Sequence, residues 1–475
     1  MLNYVLYGVL LLIVFMLIGL TYRLRNLSSV PATNTLEAQD TSSTQGHDEK
    51  MDLFQGFIYA AIVLAIVLLL VFTWYLLRGT VWQAHLMEWL NIIIRLMHLT
   101  FGIAWIGASF YFVFLENALN RTDNVRDELA GNLWAIHGGG FYYLEKYNVA
   151  PKTIPKTLHW FKYEAYFTWL TGISLLFVVY YFNAGSFLID PNVLNISSLQ
   201  AVSIGIASLV VGWLLYHLLC KTPLVNKGPL FGLTGLIIVT AFAWFYAHVF
   251  SGRGAFIHFG ALLGTLMAGN VFFVIIPAQK AMVRAAKEGT YLDPALGKFA
   301  GLRSLHNNYL TLPVLFVMVS NHFPSTFGNK QSWIILAIIT LGTAGVKHWL
   351  NLREKGRLNV WVLPVSIIIL FAAAYLSAPV APDTNCSGEV SFSQVNTIFQ
   401  KRCNSCHSSM PTDDIFKVAP NGVKYDTPQD IVRLKDKIME RVVITKTMPQ
   451  NNKTNITQEE RDMIGCWIRQ GALLK

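Results

Sequence analysis

Ten stretches of mostly apolar residues constrain this chain more than any other feature: roughly 2–20, 53–77, 91–115, 164–183, 199–219, 230–250, 255–276, 308–323, 332–350 and 360–377. A helix needs about 20 such residues to cross hydrocarbon about 30 Å thick. Lipid offers no partner to an unpaired backbone amide, so repeated stretches of this length predict a bundle of spanning helices. Composition agrees. Apolar residues make up 53% of the 475 and charged residues only 13%, about half the share usual in a soluble domain. The eighth stretch is short, and Pro313 is expected to kink it.

The first stretch has no basic residues ahead of it and no small-residue cleavage site, and Arg23 and Arg25 follow it. It reads as an anchor helix, residues 1–22, rather than a cleaved leader. Residues 23–52 include "NLSSVPATNTLEAQDTSSTQGHDEK", a Ser/Thr-rich flexible linker. Residues 53–378 form the multi-span part. After the Pro-rich "SAPVAPDTNCSG" the composition turns polar, and 379–475 reads as a small separate domain. Lysine and arginine set the orientation. With the N-terminus outside, the loops facing the cytoplasm carry 19 of them, Arg303 included, against 3 in the others (Arg78, Arg253 and Lys330). Both termini then lie outside the cytoplasm. The expected surroundings are a lipid bilayer; no nucleic-acid partner is expected.

The C-terminal part contains "FQKRCNSCHSSMP". Two thiols two residues apart can bond the two vinyl groups of one haem, and the next residue offers an imidazole to its iron. Cys403, Cys406 and His407 have that spacing, and Met448 in "TKTMPQNN" follows about forty residues later as a sixth ligand. The alternatives are coincidence or a redox dithiol. The order of helix, C-x-x-C-H, Met-Pro loop and closing helix resembles class I cytochromes c. That resemblance implies an all-α domain holding haem c, with His407 and Met448 as iron ligands. "TQEERDMIGCWIRQG" is expected to be the closing helix, with a Thr457/Glu460 capping box and Gly471 as its stop. Cys386 and Cys466 are either a disulfide or two buried thiols.

Ionisable groups inside spans are costly unless used. In the third stretch Arg95, His98, Gly102, Trp105, Ser109, Phe112 and Glu116 recur at spacings of three and four and make one helical stripe. The stripe lines an interior or packs helix on helix. His98 facing His248 or His258, with Arg95 or Arg253 for propionates, would suit a second haem of b type or a metal. Near the opposite face, His137 before three glycines, Glu164, and the run Arg303, His306, Asn307 and Asn308 suggest a polar pocket for a planar anion. Each of these segments reads equally well as an interfacial belt.

The segments "MHLTFGIAWIGASFYFVFLENAL", "IHGGGFYYLEKY", "LHWFKYEAYFTWLTG", "GRGAFIHFGALLGTLMAGNVFFVIIPAQ" and "RSLHNNYLTLPVLFVMVSNHFP" resemble the bacterial membrane-bound urate oxidase (urate hydroxylase) family, whose members carry a C-terminal cytochrome c. The resemblance covers about residues 53–475 and implies a multi-pass protein of the cytoplasmic membrane with its cytochrome outside. It also implies oxidation of urate to 5-hydroxyisourate, with electrons passing through haem c to another cytochrome or a terminal oxidase. The resemblance carries over no catalytic residue beyond the haem ligands; the polar segments themselves suggest Arg303 or another cation of the same face as the holder of the anion, His306 or His137 as general base, and His98 as the holder of a relay cofactor. The rival readings are a quinol-to-cytochrome c oxidoreductase and a transporter or redox sensor with a tethered cytochrome.

Overall fold

The computed structural model describes Tyr75, residues 80–151, 153–378, 386 and 388–474. The expected anchor helix, the linker and most of the second apolar stretch lie outside the described residues. The chain divides between Glu88 and Trp89 into two compact units; apart from the start of α1, the elements below belong to the second.

Helix α1, Val81–Ala118, leads into the second unit. A β-hairpin follows, β1 Leu129–His137 and β2 Gly140–Tyr147, paired antiparallel with Leu133 opposite Leu144. The chain is therefore not all-α. Two runs rich in aromatic and apolar residues meet at Gly138 and Gly139, whose φ of 58° and 81° are those a two-residue hairpin turn demands. Next come α2 (Tyr163–Leu175, extended by a wider turn to Tyr181), α3 (Ser198–Leu219) and α4 (Gly228–Val249). Helix α5 (Gly252–Asn270) passes through one wide turn into α6 (Ile276–Glu288). Then follow α7 (Pro294–Ser320), α8 (Ser332–Glu354) and α9 (Val362–Leu376).

Among the described residues five helices are long and apolar enough to cross a membrane: His85–Ala118, Ser198–Leu219, Gly228–Val249, Gly252–Glu288 and Ser332–Glu354. Val362–Leu376 is apolar but shorter. Helix α7 starts 14 residues before the expected 308, because Asp293 accepts from Ala295 N at 2.9 Å and Pro294 suits a first turn. Its polar N-terminal half had masked its length, and Arg303 belongs to the helix rather than to a loop. Helix α5 lies at the centre. Phe256, Phe259, Leu262, Leu263 and Leu266 are buried and share a core with Tyr246 and Phe250. Gly205 of α3 allows one close approach. A β-carbon there would lie 2.6 Å from the Tyr181 hydroxyl and 2.7 Å from His258 Nε2.

The C-terminal region folds around α10 (Phe392–Arg402) and α11 (Gln458–Arg469). Capping boxes open both, Ser391 with Gln394 and Thr457 with Glu460. Arg402 forks onto Glu460 through Nε at 3.0 and 3.1 Å, joining the end of one helix to the start of the other. Cys386 and Cys466 form a disulfide across a Cα separation of 5.6 Å. Val395, Phe399, Ile431, Val443, Ile464 and Trp467 make a core of their own. The region rests on the helical bundle through the loop after Met448. Gln450 Nε2 donates to Ser186 O at 2.6 Å, and Asn451 Nδ2 donates to Ser186 O at 2.9 Å and Ile189 O at 2.8 Å. Phe187 meets Phe416 edge to face at 6.0 Å.

Candidate functional site

Three helices bring their polar residues together at one end of the bundle. Arg303 on α7 is fully buried. Its NH1 donates to Asn270 Oδ1 at the end of α5, 3.1 Å away, and its NH2 lies 3.5 Å from His217 Nδ1 on α3. The guanidinium sits between the rings of Tyr216 (4.9 Å) and Phe299 (5.0 Å). Asn270 Nδ2 donates to Tyr216 Oη at 2.9 Å and to Asn307 Oδ1 at 2.8 Å, and Asn307 Nδ2 donates to Met267 O at 3.0 Å. Tyr216 Oη is 2.9 Å from His306 Nδ1, and the His306 ring stacks on Phe231 at 4.7 Å and 15°. Cys220 Sγ is 4.0 Å from the same nitrogen.

No carboxylate among the described residues forms an ion pair with Arg303. Its Nε–H is buried without an acceptor. A buried cation in this state is costly, and an anion that takes the spare N–H groups would relieve it. Arginine suits a planar anion because it stays charged and presents its donors as a fork.

The sequence placed Arg303, His306, Asn307 and Asn308 in one segment, and the fold divides them. Arg303, His306 and Asn307 face α3, α4 and α5, while Asn308 faces α8. There its Nδ2 donates to Asn351 Oδ1 at 2.9 Å, which leaves Asn308 Oδ1 and Asn351 Nδ2 unpartnered. Lys347, one turn earlier on α8, is 2% exposed and lies 3.6 Å from the centre of the Phe110 ring. His137 sits at the exposed turn of the hairpin, and no hydrogen bond joins it to the Arg303 network. Glu164 opens α2 with Oε2 buried and unpartnered. Tyr216, His217 and Asn270 were not foreseen. Each lies in an otherwise apolar span, and only the packing of α3, α5 and α7 reveals them.

In the polar stripe of α1 Gly102 is buried and His98, Trp105 and Ser109 are half-buried, while Arg95, Phe112 and Glu116 are exposed. His98 Nδ1 is 3.0 Å from Thr168 O, so the ring donates there, and Glu116 pairs with Arg121 at 2.9 Å and with Lys146 of the hairpin. No hydrogen bond engages His98 Nε2. His258, however, is engaged at both nitrogens, Nδ1 with Gly254 O (2.9 Å) and Nε2 with Tyr181 Oη (3.1 Å). A haem between His98 and His258 does not fit that arrangement. No three His, Cys, Asp or Glu side chains among the described residues gather as metal ligands.

In the C-terminal region Cys403 and Cys406 are unpaired thiols, and Cys403 shares a core with Met448. Burial pushes the Cys403 thiol up to about 12 and the Cys406 thiol up to about 11. His407 Nδ1 donates to Val423 O at 3.0 Å, which leaves Nε2 for a metal, the usual arrangement of a ligating imidazole. These residues fit a covalent haem. The Met448 loop is held from behind, since Arg461 NH1 donates to Met448 O at 2.7 Å.

Residues 84–378 match the model of the urate oxidase N-terminal family. No curated protein and no solved structure matches the chain. The match covers more than half of the sequence and every residue of the Arg303 network, and the chain belongs to the urate oxidase N-terminal family.

Proposed function

We propose that this protein oxidises urate to 5-hydroxyisourate at the Arg303 network and passes the electrons to a haem c in its C-terminal region. One observation carries the reading: a fully buried guanidinium, without a carboxylate partner and with a spare Nε–H, lies inside the segment that matches a urate oxidase family. Urate is a planar anion at neutral pH with an amide edge on each side. Arg303 holds its charge, and Asn270 and Asn307 hold Arg303. His306, 2.9 Å from the Tyr216 hydroxyl, supplies the basic nitrogen of the site. Phe299 and Phe231 wall the network and keep water from competing for the cation.

Cys403 and Cys406 would hold the haem, with His407 and Met448 as its axial ligands. When bound, that group supplies a one-electron acceptor, used twice for each urate. The distance matters. From Asn270 to Gly252, where α5 begins beneath the docked C-terminal region, is about 27 Å at 1.5 Å per residue. A single tunnelling step over that length is slow, so this reading calls for a carrier between the two ends, with His98 as one candidate ligand and its partner unassigned. Electrons then leave for a further cytochrome or a terminal oxidase.

The test is reduction of the haem in the purified, full-length protein. Urate is expected to reduce it and to be consumed at one molecule per two electrons. Reduction by a quinol and not by urate would replace this reading with a quinol-to-cytochrome c oxidoreductase. A pyridine haemochrome spectrum of the same sample counts haem c and any haem b.

A further inference from the structure

The hydrogen-bond directions in the Arg303 network locate a proton. A carbonyl only accepts, so Asn307 turns its Nδ2 to Met267 O and presents Oδ1 to Asn270. A guanidinium only donates, so Asn270 turns its Oδ1 to Arg303. Both ends of Asn270 are then fixed, and it is an N–H that reaches Tyr216 Oη at 2.9 Å. The phenol oxygen accepts from Asn270 and keeps its own proton for its other neighbour, His306 Nδ1, at 2.9 Å. Neutral His306 therefore carries its proton on Nε2. Its one basic nitrogen is covered by the Tyr216 hydroxyl.

We infer that the Tyr216 phenol oxygen is the atom that takes the proton in this site, and that His306 acts through it. The inference rests on the reading that urate is oxidised here. In the step, an O–H bond of water breaks as the C5–O bond to urate forms. That proton goes to Tyr216 Oη while the phenolic proton moves to His306 Nδ1. Two electrons leave the purine for the one-electron acceptor named above. Urate monoanion and water give neutral 5-hydroxyisourate, two electrons and one proton, so the pair has one proton to store, as imidazolium on His306. The Asn270 N–H steadies the negative charge that develops on the phenol oxygen, as does the guanidinium 4.9 Å from the ring. The other titratable groups facing the pair are Cys220, 4.0 Å from His306 Nδ1, and His217 beyond Arg303. His306 is then a positioning and proton-storing residue, and Tyr216 the catalytic one.

The experiment uses Tyr216→Phe in the full-length, haem-loaded protein, with urate binding measured separately by equilibrium dialysis. The expected result is urate affinity within about threefold of wild type, with haem reduction by urate slowed by about 10²–10⁴, the usual cost of a lost general base. Replacing Tyr216 by a fluorotyrosine, a more acidic phenol, should restore activity and move the pH–rate profile to lower pH. A purely structural tyrosine would not move it. Haem reduction by Tyr216→Phe at the wild-type rate, or a slow variant that has also lost urate binding, overturns the assignment alone. A wild-type protein that binds urate but is not reduced by it overturns the functional reading, and this assignment with it.

Discussion

Asn270→Asp changes one atom type and should disarm the anion site. The carboxylate would stand where Asn270 Oδ1 now stands, 3.1 Å from Arg303 NH1. At an effective dielectric of about 20, a unit charge pair at that distance attracts by about 5 kcal/mol. The guanidinium becomes a neutral pair, and an incoming anion no longer meets a net positive charge. At a contact distance of about 4 Å that charge is worth about 4 kcal/mol, or about three orders of magnitude in affinity. The new carboxylate also turns an acceptor toward Tyr216 and Asn307 in place of the present N–H, so Tyr216 rotates its proton away from His306. The variant should still fold, because the buried cation's gain of a partner offsets the two lost N–H donations. Equilibrium dialysis with urate and a thermal melt in detergent separate the two effects. Urate binding within about threefold of wild type in a folded Asn270→Asp protein would refute the assignment of Arg303 as the anion anchor.

A Cys403→Ala/Cys406→Ala double variant should lose haem staining after denaturing electrophoresis; a retained signal would sink the covalent site. Gly205→Ala forces a methyl group into the space shared by Tyr181 Oη and His258 Nε2, 2.6 and 2.7 Å from the new atom. Overpacking together with a broken buried hydrogen bond should destabilise by about 2–4 kcal/mol, and an unchanged melting temperature would contradict the packing described here. Burial alone would raise the Asp413 carboxyl, but Lys453 Nζ at 2.8 Å and the N–H groups of Phe416 and Ile415 outweigh it and hold it at about 2. A depressed carboxylate stabilises the fold fully above its ordinary 3.8 and loses that contribution as pH falls toward 2. Lys453→Met should therefore move the acid-unfolding midpoint of the C-terminal region upward, as read by protease sensitivity; an unmoved midpoint would count against the pair.

Much of the architecture was legible because local rules and global packing agree. The length of each apolar run bounded Ser198–Leu219 and Gly228–Val249 to within two residues. The Thr457/Glu460 box announced α11, and Gly471 ends it at a φ of 102°. The hairpin was missed. Its signal was present, two β-prone runs about a Gly-Gly turn, but the glycines after His137 were read as room for a ligand. The N-terminal half of α7 was missed because hydropathy treats Arg303, His306, Asn307 and Asn308 as the end of a span, whereas the fold buries Arg303, Asn307 and Asn308 and half-buries His306 against neighbouring helices. Half of the site itself was beyond one sequence. Arg303 and His306 stood out by residue type, but nothing in the order of letters says that α3 and α5 lie beside α7. Without that neighbourhood Tyr216 is one aromatic among many.

The docking of the C-terminal region has a consequence for how this protein can change. Gln450 and Asn451 grip main-chain oxygens of Ser186 and Ile189 rather than side chains. Any residue at positions 186 and 189 that keeps the same turn presents the same two oxygens. The receiving surface can thus drift in sequence without losing its grip, and the burden of recognition falls on two amides in the loop that begins at Met448. A homologous C-terminal region with those two amides, grafted onto a divergent bundle, should seat in the same register. One that lacks them should hang from its linker, however well its interior is made.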